Sequence, residues 1–134
     1  MPALDTNVLV RWLVRDDETQ FEAVRGVLAE ARRRARPLWV PVTVLLELEW
    51  VLRSRYRVAR DGIIEAFDLL LESRELGFDD EPAVERALWR FRRSPDVDFA
   101  DCLHVELAAR GGHAPLLTFD ARAAAMAGAR GVAP

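Results

Sequence analysis

Short apolar runs alternate along this chain with longer stretches in which apolar residues recur at helical spacing, and that alternation limits the folds open to it. Leu38-Trp39-Val40-Pro41-Val42 and Pro115-Leu116-Leu117-Thr118-Phe119 are compact apolar runs beside turn residues, and each reads as a buried strand. Pro2-Ala3-Leu4-Asp5 reads as another short strand, and Leu76-Gly77-Phe78 as a weaker one. Between them, Val8, Leu9, Trp12 and Leu13 predict a helix capped by Thr6 or Asn7. A second helix is predicted over Glu18–Arg34, with Phe21, Val24, Val27 and Leu28 inward and Arg32, Arg33, Arg34 and Arg36 near the end, where cations suit the helix dipole. Thr43 is expected to cap a helix to about 53, and further helices are predicted over 60–72, 81–93 and 98–110, the last two stopped by Pro95 and by Gly111-Gly112. Asp120 begins a short Ala-rich helix, and the chain's end leaves room only for a very short final strand.

Strands alternating with helices predict an α/β fold, a central and mainly parallel β-sheet with helices on both faces. In such sheets ligands bind beyond the C-terminal ends of the strands. The 134 residues, 51% apolar, suffice for one continuous core, and no linker or repeat divides them, so residues 1–134 are read as a single domain.

All 19 basic residues are arginine. Without lysine, the chain cannot build a Walker-type phosphate loop, a Schiff base, a kinase site or a receiver domain. Cys102 is the one cysteine, which leaves no intrachain disulfide and no cysteine-built zinc site, and it is expected to be a small buried residue. No apolar run approaches the ~20 residues of a membrane helix, and the start lacks a signal peptide's pattern, so a cytoplasmic, membrane-free protein is expected.

The acidic residues carry the functional content. Asp5 and Asp120 follow strands and precede helices, where aspartate also makes an ordinary N-cap. Asp98 and Asp101 stand three apart at a helix start and share a face, either as cap and dipole partner or as two repelling neighbours. Glu47 borders the stripe formed by Val44, Leu45, Leu48, Val51 and Leu52, where a carboxylate needs an arginine or a metal, whereas Glu49 fits the solvent side. A parallel sheet can bring these positions to one edge, and carboxylates crowded there persist only beside a cation. Oxygen donors without cysteine or a histidine cluster indicate Mg²⁺ or Mn²⁺. His104 and His113 are read as structural and surface residues.

Four segments in order, Leu4-Asp5-Thr6-Asn7-Val8, Leu46-Glu47-Leu48 with Trp50-Val51-Leu52, Asp98-Phe99-Ala100-Asp101 and Thr118-Phe119-Asp120, resemble the PIN-domain family, particularly its VapC-like toxins of type II toxin-antitoxin systems. The resemblance implies a three-layer PIN-like fold. It also implies an acidic quartet of Asp5, Glu47, Asp101 and Asp120, Asp98 as an auxiliary carboxylate and metal ligand, and Asn7 and Thr118 as polar supports. Its further implications are endoribonuclease activity, a homodimer, and a cognate antitoxin whose tail covers the active-site groove. Carboxylate-held metal would activate water for in-line attack on an RNA phosphodiester, with Glu47 a candidate base. Positive charge must surround such a site, and Arg32, Arg33, Arg34, Arg36, Arg53, Arg55, Arg57, Arg90, Arg92 and Arg93 are available for RNA phosphates. Two alternatives stand beside this reading. An Asp-dependent small-molecule phosphohydrolase would carry Asp-x-Asp and a lysine, which are absent. A non-catalytic partner-binding module would use exposed Trp12, Trp50 or Trp89.

Overall fold

A computed structural model describes residues 1–134, which form two compact units, Met1–Asp79 and Asp80–Pro134. The first unit runs α1 (Thr6–Val14), α2 (Glu18–Arg34), β1 (Leu38–Val40), α3 (Val42–Ser54), α4 (Arg60–Glu72) and β2 (Leu76–Phe78). The second runs α5 (Glu81–Arg93), α6 (Phe99–Arg110), β3 (Leu116–Thr118), α7 (Ala121–Ala124) and β4 (Ala129–Gly131).

In the first unit β1 pairs in parallel with β2, Leu38 opposite Leu76 and Val40 opposite Phe78. Leu9 and Val10 of α1, Leu45, Leu48 and Leu52 of α3, and Ile63, Phe67 and Leu70 of α4 are all but fully buried. Trp12 stacks on Phe21 with ring centres 5.0 Å apart, joining α1 to α2. Both helices end on a residue in the left-handed region, Arg15 at φ 57° and Ala35 at φ 52°.

In the second unit α5 packs on α6. Ala83 and Ala87 are fully buried and small enough for the helices to approach closely, while Phe91 meets Phe99 edge-on at 5.7 Å. Strand β3 pairs in parallel with β4 and leads directly into α7.

The α/β expectation with parallel strands holds, and the ladders are two parallel pairs, one within each unit. The expected strand at Pro2–Asp5 shrinks to one parallel bridge, Ala3 to Trp39. Only two ladder bonds form there, Leu4 N to Trp39 O at 2.9 Å and Trp39 N to Pro2 O at 2.8 Å. Pro2 has no N–H to add, and Asp5 already turns into α1. Pro41, not Thr43, stands at the N-cap of α3, and Asp5, not Thr6 or Asn7, at that of α1. Val27 is 46% exposed, because Phe21, Val24, Leu28 and Ala31 form the inward stripe of α2 at spacings of three and four. The expectation of a buried last strand is overturned at two positions. Period-two alternation leaves Leu116 and Thr118 half-buried but exposes Leu117 and Phe119, the latter by 76%.

Candidate active site

Asp5 enters its position through helix geometry. Its extended backbone makes it the N-cap of α1, and Oδ1 accepts the Thr6 N–H at 2.7 Å. That single bond leaves Oδ2 uncommitted. Thr6 is buried, and its hydroxyl donates to Oε1 of Glu47 on α3, tying the first acid to the second across 41 residues of chain. Glu47 is exposed, and it is held by that hydroxyl rather than by an arginine. Beside Asp5, Thr6 is the polar side chain that bonds to an acidic residue of the set, while Asn7 is exposed. The signal was in Asp5-Thr6, since a hydroxyl directly after a cap residue faces the helix's packed side.

The stripe of α3 contains Glu49, which corrects its placement on the solvent side. Leu45, Leu48, Glu49 and Leu52 are the buried positions at spacings of three, four and seven. Arg53, one turn on, donates to Glu49 there at 2.8 Å and supplies the counter-charge.

In the second unit Asp98 is the N-cap of α6 but makes no side-chain capping bond. Asp101 lies in the first turn of the same helix. Asp120 caps α7, its Oδ1 accepting from Arg122 N and Ala123 N, both at 2.9 Å. The Thr118 hydroxyl oxygen accepts the Asp120 N–H at 3.0 Å and fixes that residue's entry into α7. The Asp101 carboxyl is pushed above its usual range, first by burial and then by the charges of Asp120 and Asp98, with His104 opposing.

Other carboxylates in this chain are managed differently. Besides Glu49, the buried Glu106 is held by Arg90 at 2.6 Å with Arg86 at 3.6 Å, and half-buried Asp80 by Arg110 at 2.5 Å. In a chain with 19 arginines, none pairs with Asp5, Glu47, Asp98, Asp101 or Asp120. An aspartate raised by burial and by neighbouring carboxylates, and left without an arginine, is in an electrostatic condition that a divalent ion relieves. The donor set is all oxygen, which suits Mg²⁺ or Mn²⁺. No group of three acidic, histidine or cysteine side chains stands close enough together in this structure to hold a metal ion.

Several of the arginines available for RNA phosphates pair with carboxylates in this structure. Arg32 pairs with Glu75, Arg33 and Arg34 with Glu30, Arg53 with Glu49, and Arg90 with Glu106. Glu30 is held below the usual carboxylate range by hydrogen bonds from Arg33 and Arg34. Arg36, Arg55, Arg57 and Arg93 carry no ion pair. Cys102 is fully buried and in no disulfide, as expected of a small buried residue. No helix is long and apolar enough to cross a membrane.

A protein named VapC ribonuclease from Aquifex aeolicus (strain VF5) is 26% identical over 122 residues, covering 91% of this chain and 89% of the relative. No solved structure matches the chain significantly. The family match is to the PIN domain and runs over residues 3–129, taking in every acidic position described above, and the chain therefore belongs to the PIN domain family.

Proposed function

We propose that this chain is a single-domain, Mg²⁺- or Mn²⁺-dependent endoribonuclease that acts as the toxin of a type II toxin-antitoxin pair. The observation that carries the reading is Asp101, raised by burial and then by the charges of Asp120 and Asp98, and without an arginine partner in a chain that neutralises its buried acids with arginine. The similarity to a VapC ribonuclease supports the RNA substrate and the toxin role, and a family match continuous over 3–129 supports one domain. From the same kinship follow a cytoplasmic homodimer and a cognate antitoxin. A phosphohydrolase of small molecules has no comparable support.

Asp5, Glu47, Asp101 and Asp120 would hold the cation, with Asp98 beside them. When bound, such an ion stabilises charge on phosphate oxygens and makes water easier to deprotonate. The chain's own groups are prepared for this. Asp120 uses one oxygen for two helix amides, so its other oxygen has a fixed direction and no protein partner. Asp5 is anchored by one bond in the same way. At Glu47 the Thr6 hydroxyl occupies Oε1, leaving Oε2 to accept a proton from the attacking water.

The reading is tested by cleavage of total RNA by purified protein with EDTA, Mg²⁺ or Mn²⁺, combined with thermal melts in each. Cleavage should require the metal, and metal should raise the melting temperature, as a ligand that binds only the folded state must. Metal-independent cleavage, or no cleavage by folded protein, would sink the proposal. Expression without its antitoxin should slow growth, and normal growth with folded protein would remove the toxin role alone.

A narrower expectation concerns Thr6→Val, which keeps the side chain's shape but removes the donor to Glu47. Cleavage should fall roughly tenfold, as for other groups that orient metal-site carboxylates, while stability falls by only about 1 kcal/mol. Unchanged activity would mean that Glu47 needs no orientation.

A further inference from the structure

The second unit carries a cationic groove that the acidic residues do not use. It encloses about 760 Å³ between the end of α5, the connection after it, and α7. Trp89 of α5 is 40% exposed there. The guanidinium carbons of Arg86 and Arg93 lie 4.3 and 4.2 Å from its ring centre. Two like charges cannot occupy the same spot over one ring face, so the indole is held between them. Of the two, Arg93 lines the groove, together with Trp89, Arg90 and Arg122.

These arginines differ in how their charge is met. Arg90 is committed to Glu106 at 2.6 Å and to the Ala127 carbonyl at 2.8 Å. Arg93 and Arg122 have no ion pair. An aromatic face orients a guanidinium without occupying its N–H edge, so Arg93 keeps both its charge and its donors. Asp96 is the one carboxylate lining the groove, against Arg90, Arg93 and Arg122. The groove lies beside two of the acidic positions in the chain, because Val97, next to Asp98, and Ala121 and Arg122, next after Asp120, line it.

A planar guanidinium backed by indole is a surface on which a base can stack, and a second unpaired guanidinium suits a phosphate. A duplex would hide its base faces, whereas a single strand offers both groups. We propose that this groove binds single-stranded RNA flanking the scissile phosphate, with a base on the Arg93–Trp89 stack and a phosphate on Arg122. The assignment rests on the ribonuclease reading and adds to it the groove residues that hold the strand.

Binding is measured in EDTA, so that it is independent of cleavage, by fluorescence anisotropy of a short labelled single strand at several salt concentrations. The single strand should bind more tightly than the same sequence in a duplex. Arg93→Gln and Arg122→Gln should each weaken it about five- to tenfold and reduce the log–log salt slope by about 0.7. Trp89→Leu should weaken it by a similar factor with little change in slope. Arg74→Gln, at an exposed arginine of the first unit, should change neither. Melting curves establish that each variant is folded. Folded Arg93→Gln and Arg122→Gln proteins with unchanged RNA affinity would overturn the assignment. So would a duplex bound as tightly, or variants that lose binding to a poly-glutamate peptide or drop to a smaller oligomer while holding RNA normally. The two readings fail separately: cleavage that survives Asp101→Asn removes the acidic site's role, whereas groove-independent binding with acid-dependent cleavage removes only the groove's.

Discussion

Asp101→Asn is expected to lower RNA cleavage by roughly 100-fold or more, while the metal-free protein melts at the wild-type temperature or above it. The two effects have one origin. Burial and the charges of Asp120 and Asp98 disfavour the ionised carboxylate, and the amide removes that penalty while keeping nearly the same shape. The sign with pH follows. Because the folded-state pKa lies above the usual 3.8, wild type gains no penalty below that value, and the penalty grows as pH rises through the folded pKa. The stability advantage of the variant in EDTA should therefore be present at neutral pH and vanish in acid. Urea denaturation across pH, paired with a cleavage assay, reads both quantities. A destabilised variant that still cuts RNA with metal would mean that Asp101 serves as a helix-dipole partner and nothing more.

The opposite sign is expected five residues further along α6. Glu106→Gln should destabilise the fold by about 2–3 kcal/mol, lowering the melting temperature by roughly 10 °C. Glu106 is the charge against which Arg90, only 17% exposed, is held. Without it the guanidinium keeps the Ala127 carbonyl but loses its counter-ion in a largely dry position. This cost is smaller than for a fully enclosed pair, because water still reaches Arg90. Cleavage per folded molecule should survive, since Glu106 has no part in the acidic site. Equal stability of Glu106→Gln and wild type would show that the ion pair contributes nothing, and loss of activity in fully folded protein would place Glu106 in the chemistry.

The long helices were legible because their signals are local. The boundaries of α2, α4 and α5 follow from apolar spacing, with Pro95 after α5. The short strands were less so. Three-residue ladders have too few positions to show which face is buried, and Leu117 and Phe119 look like core in a list of residue types. The acidic positions could be read because they sit at element junctions. What was hidden was tertiary: Thr6 meets Glu47 across 41 positions, and Glu49 is buried only because Arg53 accompanies it. A row of arginines looks uniform in sequence until the structure separates those spent on carboxylates from those held by an aromatic ring.

The left-handed ends of α1 and α2 bear on how much change this chain can absorb. Arg15 and Ala35 occupy a backbone region that a Cβ makes costly by roughly 1 kcal/mol each, where glycine would rest without penalty. Part of that sum is returned by the stiffer unfolded chain. A fold carrying such positions has not been driven to its stability ceiling. Reserves of this kind, which a glycine replacement could release, are what let a lineage tolerate repelling acids where chemistry needs them and still accept further substitutions around them.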